Sequence, residues 1–322
     1  MSKPNPKPTN IKKLLYAPML SIGGNTYQRT VTEGLWNILS RARLVARENQ
    51  QQLILEGYQL KLNILGKPKG TQPINFVIYH VPFDQDHDKS IGSFDVPTID
   101  HSKIKHLELV RWTIQAIKQT CPDAEVIVCT DATFGKSIED LNPTILIPEV
   151  EKNRPMYYRA KTYNTIIQNK WLCGTTVFLD SDAIVLRDPR NLPEQLNFKV
   201  GVTARFAPNL MPINEGVIIT KSQSEECIDF FAHYMGTYQW IKDDEMIQKI
   251  TGNDLMRWRG GQLSLNAICS GSKMSDFRDS NKKLKILPCS RYNYAVRSKD
   301  EVAKFSQEGI KYIAHIKGKA KY

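Results

Sequence analysis

The chain has 322 residues, a formal net charge of +11, and contains 41% hydrophobic and 24% charged residues. This is an ordinary globular composition that can bury a core, and no apolar run approaches the roughly 18 residues needed to cross a bilayer. The positive charge favours an anionic partner, which leaves nucleic acid, acidic lipid and a phosphate-bearing substrate open. The polar N-terminal residues do not predict a secretion signal. Six dispersed cysteines without a Cys-x-x-Cys pair are typical of reduced thiols, so a cytoplasmic location is expected.

The first 70 residues are predicted to form an N-terminal arm and a helical extension. From residue 30 to about residue 63, apolar side chains recur at helical spacing and basic side chains lie between them. This pattern predicts a helix or helical hairpin that packs on the main domain. An oligomerisation element or a peripheral contact with the inner face of a membrane is the alternative. The Pro/Gly-rich stretch 66–73 predicts a boundary, so residues 71–322 form the second predicted domain.

The second domain is predicted to be α/β, because strands and helices alternate along it. Strands are predicted at 74–81, 124–130, 144–147, 177–179 and 183–186, and helices at 101–119 and 155–169. Shorter pieces follow, with strands predicted at 199–204, 213–220 and 284–287 and helices at 224–234 and 262–269. Right-handed crossovers would give a mostly parallel sheet that helices cover on both faces. Ligands bind beyond the carboxyl ends of the strands in such sheets.

Two acidic residues lie at one of these strand ends. Asp180 and Asp182 flank Ser181 between the apolar runs 177–179 and 183–186. Two carboxylates one residue apart, where the chain bends, can hold one hard divalent cation. A surface turn between two strands is the alternative interpretation.

Three kinds of enzyme use an Asp-x-Asp sequence after a strand. A phosphatase or mutase usually begins with that strand, whereas here about half of the chain precedes it. A nucleotidyltransferase carries a Gly-Ser helix start that is not evident here. A nucleotide-sugar glycosyltransferase uses the two carboxylates to hold one Mn²⁺ or Mg²⁺ against the donor diphosphate.

The end of the sequence favours the third kind. His315, Gly318 and Lys321 form a His-x-x-Gly-x-x-Lys pattern. An imidazole can complete the coordination of a metal that two carboxylates hold, and it suits Mn²⁺ better than Mg²⁺. A glycine lets backbone N–H groups approach a phosphate, and a lysine supplies a positive charge for it.

With these motifs, the sequence from about Phe76 to Tyr322 resembles the family-8 glycosyltransferases, which have a GT-A fold: a Rossmann-like mixed sheet flanked by helices. The resemblance implies that Asp180, Asp182 and His315 bind Mn²⁺ (or Mg²⁺). It also implies transfer of a hexose from a nucleotide-diphosphate sugar, most simply a UDP-sugar, with retention of configuration. The acceptor would be a glycan, a lipid-linked molecule or a protein.

The same resemblance implies further site residues. Donor-binding residues are expected at Arg159, in the Tyr-Tyr-Arg sequence that ends there, and at Ser181, Gly216, Gly318 and Lys321. Residues expected to contact the reacting sugar are Asn214, Glu215 and Gln262. Two departures from the family pattern stand out: Gly261 replaces the usual aspartate before Gln262, and Glu215 replaces a small residue. Glu215 could place a carboxylate in the same pocket from the opposite strand, or it could face solvent.

Two other classes of protein remain open at this point. The basic charge would suit a nucleic-acid-binding protein, but the lysines and arginines are dispersed and no recognition motif is evident, so no nucleic acid is expected as a partner. A scaffold protein on a membrane surface, built on the basic helical segment and without transferase activity, is the second alternative.

Overall fold

The computed structural model describes residues 50–82, 105–151, 154–204, 213–243, 260–266, 268–269, 284–296 and 298–316. Its strands are β1 (Ile64–Leu65), β2 (Ile74–Tyr79), β3 (Glu125–Cys129), β4 (Thr144–Pro148), β5 (Thr175–Leu179), β6 (Ala183–Val185), β7 (Val200–Ala204), β8 (Ile213–Lys221), β9 (Leu284–Pro288), β10 (Tyr294–Val296) and β11 (Ile313–Ile316). Its α-helices are α1 (Gln50–Gln59), α2 (His106–Thr120), α3 (Ala132–Lys136), α4 (Pro155–Gln168), α5 (Leu192–Gln195), α6 (Glu225–Asp243), α7 (Cys289–Tyr292) and α8 (Lys299–Glu308). Residues 260–266 are also helical.

Eight of the strands form one mixed sheet in the order β1-β4-β3-β2-β5-β8-β7-β9. β4, β3, β2 and β5 run parallel, whereas β8 is antiparallel to both β5 and β7. A second sheet has the order β10-β11-β6, with β11 antiparallel to β6. The prediction of an α/β chain with a mixed sheet flanked by helices is confirmed.

Helices cover both faces of the large sheet because its central strands are apolar on both sides. Side chains alternate between the two faces of a strand, and every residue of β2 is buried. Val77 on one face packs in a cluster that includes residues of α4 and α6. Phe76 and Ile78 on the other face pack with Val110 and Ile114 of α2. This two-sided core fixes the strand ends at which β5 leads into β6.

The predicted helical segment 30–63 differs from the structure at its end, and its residues 30–49 lie outside the described residues. Helix α1 ends at Gln59, and β1 follows as a short edge strand antiparallel to β4. The chain leaves the helix because Leu62 donates its backbone N–H to the Thr165 hydroxyl at 2.9 Å, in place of a helical carbonyl. α1 packs on α6, and the division of the chain at residue 70 stays a prediction.

Two helices towards the end of the chain also differ from expectation. The helix predicted at 224–234 continues to Asp243, because its apolar side keeps contacting the core through Tyr238 and Ile241. Helix α8 was not predicted, although Ser298 caps it and Gly309, with φ 64°, ends it. None of the helices in the described ranges is long and apolar enough to cross a membrane.

Candidate metal and donor site

The two aspartates lie in the turn that joins the large sheet to the small one. Asp180 follows the last residue of β5, and its backbone N–H donates to the Gly216 carbonyl of β8 at 2.9 Å. Its own carbonyl accepts from the Ala183 N–H at 3.1 Å, which closes the turn into β6. The Asp182 carbonyl accepts from Ile316 of β11 at 2.9 Å. Backbone hydrogen bonds to three strands therefore fix both carboxylates at this sheet edge.

Strand pairing brings His315 to the same point. β11 is antiparallel to β6, and its register places His315 opposite Ala183. The His315 Nε2 atom lies 2.8 Å from Asp182 Oδ1 and 3.6 Å from Asp180 Oδ2. One ligand atom from each of the three residues lies within 4.8 Å of the others. The structure thus brings together the three residues predicted as metal ligands.

A neighbouring asparagine determines which nitrogen of His315 faces the carboxylates. The Asn293 amide nitrogen donates to Asn214 Oδ1 at 2.8 Å and to the Thr203 hydroxyl at 3.1 Å, so its oxygen is the acceptor. That oxygen lies 3.0 Å from His315 Nδ1, which must therefore carry a proton. The Nε2 lone pair of a neutral imidazole then faces Asp180 and Asp182.

Three acceptor atoms that face one another need a cation between them. A neutral imidazole nitrogen and two carboxylate oxygens would repel at these distances, so either a proton on Nε2 or a metal ion must join them. Fixing one ring nitrogen by a hydrogen bond so that the other can bind metal is a common feature of metal sites. The donor set of two carboxylates and one imidazole fits a divalent ion such as Mn²⁺.

Gly216 makes room for this cluster. A Cβ atom at residue 216 would lie 2.6 Å from Asp180 Oδ2 and 2.9 Å from both Asn214 Oδ1 and His315 Cε1. Real Cβ atoms do not approach other atoms this closely, so any side chain would displace the cluster. Gly216 also donates its N–H to Asn214 Oδ1 at 2.9 Å. The glycine predicted to bind the donor therefore lies directly against the predicted ligands.

Arg159 of α4 lies beside the cluster and is almost fully buried. Its Nη1 atom lies 2.6 Å from Asp180 Oδ1, and its Nη2 atom lies 2.6 Å from Glu215 Oε2. Burial disfavours the charge, but the carboxylates of Glu215 and Asp180 hold the pKa of the guanidinium well above its ordinary value. Arg159 Nε has no hydrogen-bond partner among the described residues. Arg159 therefore carries a positive charge at the centre of an acidic site.

Glu215 lies on the other side of Arg159 from Asp180 and is also buried. The Tyr234 hydroxyl of α6 donates to Glu215 Oε1, while Arg159 binds Oε2. Burial, and then the Glu215 charge, raise the pKa of Tyr234 well above its ordinary value, so the tyrosine stays a donor. A Cβ atom at Gly261 would lie 2.2 Å from Glu215 Oε1. The two departures from the family pattern are therefore in direct contact.

The other predicted contact residues surround this centre. Asn214 is buried, and its Oδ1 atom accepts from the Gly216 N–H and from the Asn293 amide. Gln262 is partly exposed in the helical segment 260–266, which Asn266 fastens to β8 by accepting the Ile213 N–H at 3.0 Å. Ser181 is partly exposed, and its carbonyl accepts from the Thr113 hydroxyl at 3.1 Å. The two remaining predicted residues, Gly318 and Lys321, lie outside the described residues.

Three residues at the site were missed from the sequence. Asn293 fixes His315, Tyr234 holds Glu215, and His80 lies with Nδ1 3.2 Å from the Ser181 hydroxyl. Tyr234 has the spacing of a core residue of an amphipathic helix, and Asn293 stands in an irregular stretch. Only His80 had a usable signal, because it lies near the carboxyl end of the predicted strand 74–81, and that end lies at the site.

We expect His80 to make the protein sensitive to acid. Burial, together with the nearby His106, lowers the pKa of His80 from 6.5 to about 3, whereas Asp182 acts in the opposite direction. Below pH 6.5 the unfolded chain binds a proton that the folded chain cannot bind, so stability falls by about 1.4 kcal/mol per pH unit from this residue. Urea denaturation of wild type and His80→Gln between pH 7 and 5 measures it. Equal pH dependence of the two proteins would contradict the assignment.

The chain is similar to several solved structures at low sequence identity. No family model and no curated protein matches the chain. Solved structures that resemble it include the glycosyltransferase GlyE of Streptococcus pneumoniae TIGR4, at 12% identity and a TM-score of 0.43, covering 79% of this chain and 55% of GlyE. The galactosyltransferase LgtC, in complex with donor and acceptor sugar analogues, has 10% identity and a TM-score of 0.42, covering 76% of this chain and 88% of LgtC.

A third solved structure is a glycosyltransferase involved in glycosylation of the major capsid of PBCV-1, at 12% identity and a TM-score of 0.40, covering 77% of this chain and 94% of that one. The chain spans only about half the length of GlyE. At these identities and TM-scores, the resemblance assigns no activity to this chain.

Proposed function

We propose that the protein is a metal-dependent glycosyltransferase that uses a nucleotide-diphosphate sugar. The observation that carries the proposal is the cluster of Asp180, Asp182 and His315, whose ligand atoms lie within 4.8 Å of one another, with His315 oriented by Asn293. This arrangement supplies the ligands that a divalent cation needs, at the sheet edge where α/β folds bind ligands. The imidazole ligand favours Mn²⁺ over Mg²⁺.

The cation, when bound, would neutralise the diphosphate as the bond between sugar and phosphate oxygen breaks. The chain's own residues would do the remaining work. Gly216 lets the backbone of β8 lie directly against the ligands, and Gln262 is the partly exposed polar residue on the helical segment that borders Glu215. Asn214 and Gln262 are proposed to orient the sugar. Gly318 and Lys321 are proposed to bind the diphosphate, because a backbone N–H and an ammonium group suit phosphate oxygens.

The finer assignments follow from the sequence resemblance and form part of the same proposal. The donor would be a UDP-hexose, transferred with retention of configuration to a glycan, lipid-linked or protein acceptor. A cytoplasmic enzyme with a peripheral membrane contact through residues 1–70 would meet a lipid-linked acceptor at the inner face of a membrane.

A thermal-shift screen of nucleotide sugars, with and without Mn²⁺, tests the proposal. Ligands that bind only the folded chain raise Tm, by an amount that grows with concentration over Kd. We expect one UDP-hexose to raise Tm in the presence of Mn²⁺, and Mn²⁺-dependent release of UDP from the same donor. Equal shifts for all nucleotides, or shifts that do not need a divalent cation, would overturn the proposal.

A further inference from the structure

Arg159 binds two carboxylates, and one of them belongs to a proposed metal ligand. It lies 2.6 Å from Asp180 and 2.6 Å from Glu215, and the side chains of Arg159 and Glu215 are only 6% and 4% exposed. Arg159 binds Oδ1 of Asp180, while Oδ2 of the same carboxylate faces His315. The guanidinium therefore disfavours a metal ion through its positive charge, because like charges repel strongly where little solvent screens them. A second carboxylate must balance Arg159 when Asp180 binds the ion.

The charges of the site identify that partner. Asp180, Asp182 and Glu215 carry three negative charges and Arg159 carries one positive charge, while a metal-binding His315 is neutral. The cluster then has a net charge of minus two, which one divalent cation balances. Without Glu215 the net charge would be minus one, and binding the same ion would leave an uncompensated positive charge in a buried site, which is costly.

Glu215 is fixed in the position that this role requires. Tyr234 donates to one of its oxygens and Arg159 to the other, so the carboxylate points into the site. The position depends on Gly261, because a Cβ atom at residue 261 would lie 2.2 Å from Glu215 Oε1 and 2.7 Å from its Cδ. A residue with any side chain at 261 could not coexist with this placement of Glu215.

We propose that Glu215 is a positioning residue that shares Arg159 with Asp180, balances its charge, and so lets Asp180 bind a divalent cation through Oδ2. Gly261 and Glu215 are then one coupled change, in which the carboxylate of this pocket comes from β8 instead of the helical segment 260–266. The identity of the ion rests on the proposed function, but the pairing of Glu215 with Arg159 and Gly261 does not.

Binding of Mn²⁺ to the full-length chain without donor tests the first part, with calorimetry as the readout. We expect Glu215→Gln to weaken the affinity about 10–100-fold, as loss of a partner of a metal ligand does. Glu215→Asp keeps the charge and should recover part of that loss. Asp140→Asn is the matched control, because Asp140 also pairs with an arginine, Arg111, but away from the site. Wild-type affinity in Glu215→Gln would overturn the proposal.

The outcomes separate this inference from the proposed function. If the wild type binds Mn²⁺ but transfers no sugar, and Glu215→Gln binds it more weakly, the inference stands and the function is wrong. If the wild type transfers sugar and Glu215→Gln keeps its metal affinity, the function stands and the inference is wrong. A wild-type chain that binds no divalent cation would overturn both.

A thermal-denaturation cycle without metal tests the coupling of Glu215 and Gly261 directly. Gly261→Ala should lower Tm in the wild-type background, because the new Cβ meets Glu215 Oε1. In the Glu215→Ala background the same change should leave Tm equal or raise it, since alanine stabilises a helix relative to glycine. A Tm loss of the same size in both backgrounds would overturn the coupling.

Discussion

Replacement of Asp182 by alanine is expected to lower kcat/KM for Mn²⁺-dependent hydrolysis of the cognate nucleotide sugar by about 10²–10³-fold. Asp182 Oδ1 lies 2.8 Å from His315 Nε2, so the substitution removes the central acceptor of the three. His315 and Asp180 alone lie 3.6 Å apart and keep only two ligands for the ion. UDP release at saturating Mn²⁺ measures the effect, and calorimetry shows whether the metal affinity falls with it.

Two controls make this result specific to the metal. Asp182→Asn keeps the shape of the side chain and removes its charge, so it should lose activity almost as strongly as alanine. Asp123→Ala removes an acidic residue that pairs with Arg190 on another part of the surface, and it should keep wild-type activity. Unchanged metal-dependent hydrolysis in Asp182→Ala would refute the proposed metal site.

Replacement of Arg159 by methionine is expected to cost about 3–5 kcal/mol of unfolding free energy, because it leaves the buried carboxylate of Glu215 and the partly exposed one of Asp180 without their positive partner. Asp180 and Glu215 both bind this guanidinium at 2.6 Å, and Glu215 is almost fully buried. Urea denaturation in the presence of a chelator measures the loss. Adding Mn²⁺ should recover more stability in this variant than in wild type, because a divalent cation supplies the missing positive charge.

Arg111→Met provides the comparison for that experiment. Arg111 also binds a carboxylate, that of Asp140, but the pair is partly exposed to solvent, which screens it. Arg111→Met should therefore lose much less unfolding free energy than Arg159→Met. Equal losses in the two variants would show that the Arg159 cluster does not act as a buried charge network. The double variant Arg159→Met/Glu215→Leu should be more stable than Arg159→Met alone. It removes one of the two carboxylates that Arg159→Met leaves without a positive partner.

The parts of the site that local patterns determine could be predicted from the sequence. The apolar run before Asp180 predicts a strand end, and a strand end in a sheet of this kind predicts a ligand edge. His315 could be paired with the aspartates only through the motif that resembles the family pattern. The strand pairing that delivers it, β11 against β6, depends on contacts distant in sequence.

The charge network could not be predicted, because it depends on which side chains meet across elements. Arg159 was predicted to bind the donor, which stays a prediction, and its ion pairs with Asp180 and Glu215 had no signal in the sequence. Gly261 was interpreted as the loss of a carboxylate, and Glu215 either as a carboxylate in the same pocket from the opposite strand or as a residue that faces solvent. The folded chain decides between these two, because Glu215 is buried next to Gly261. Helix α8 was missed although Ser298 and Gly309 carried its start and stop signals.

The late position of β11 in the chain has a consequence for biosynthesis. His315 reaches the aspartates only when β11 lies beside β6, and β6 itself follows directly from the turn that holds Asp180 and Asp182. A nascent chain can build the central parallel strands long before β11 leaves the ribosome, yet it offers only two of the three ligands. All three ligands would therefore come together only after β11 has been made, and a bound ion would stabilise the pairing of β11 with β6.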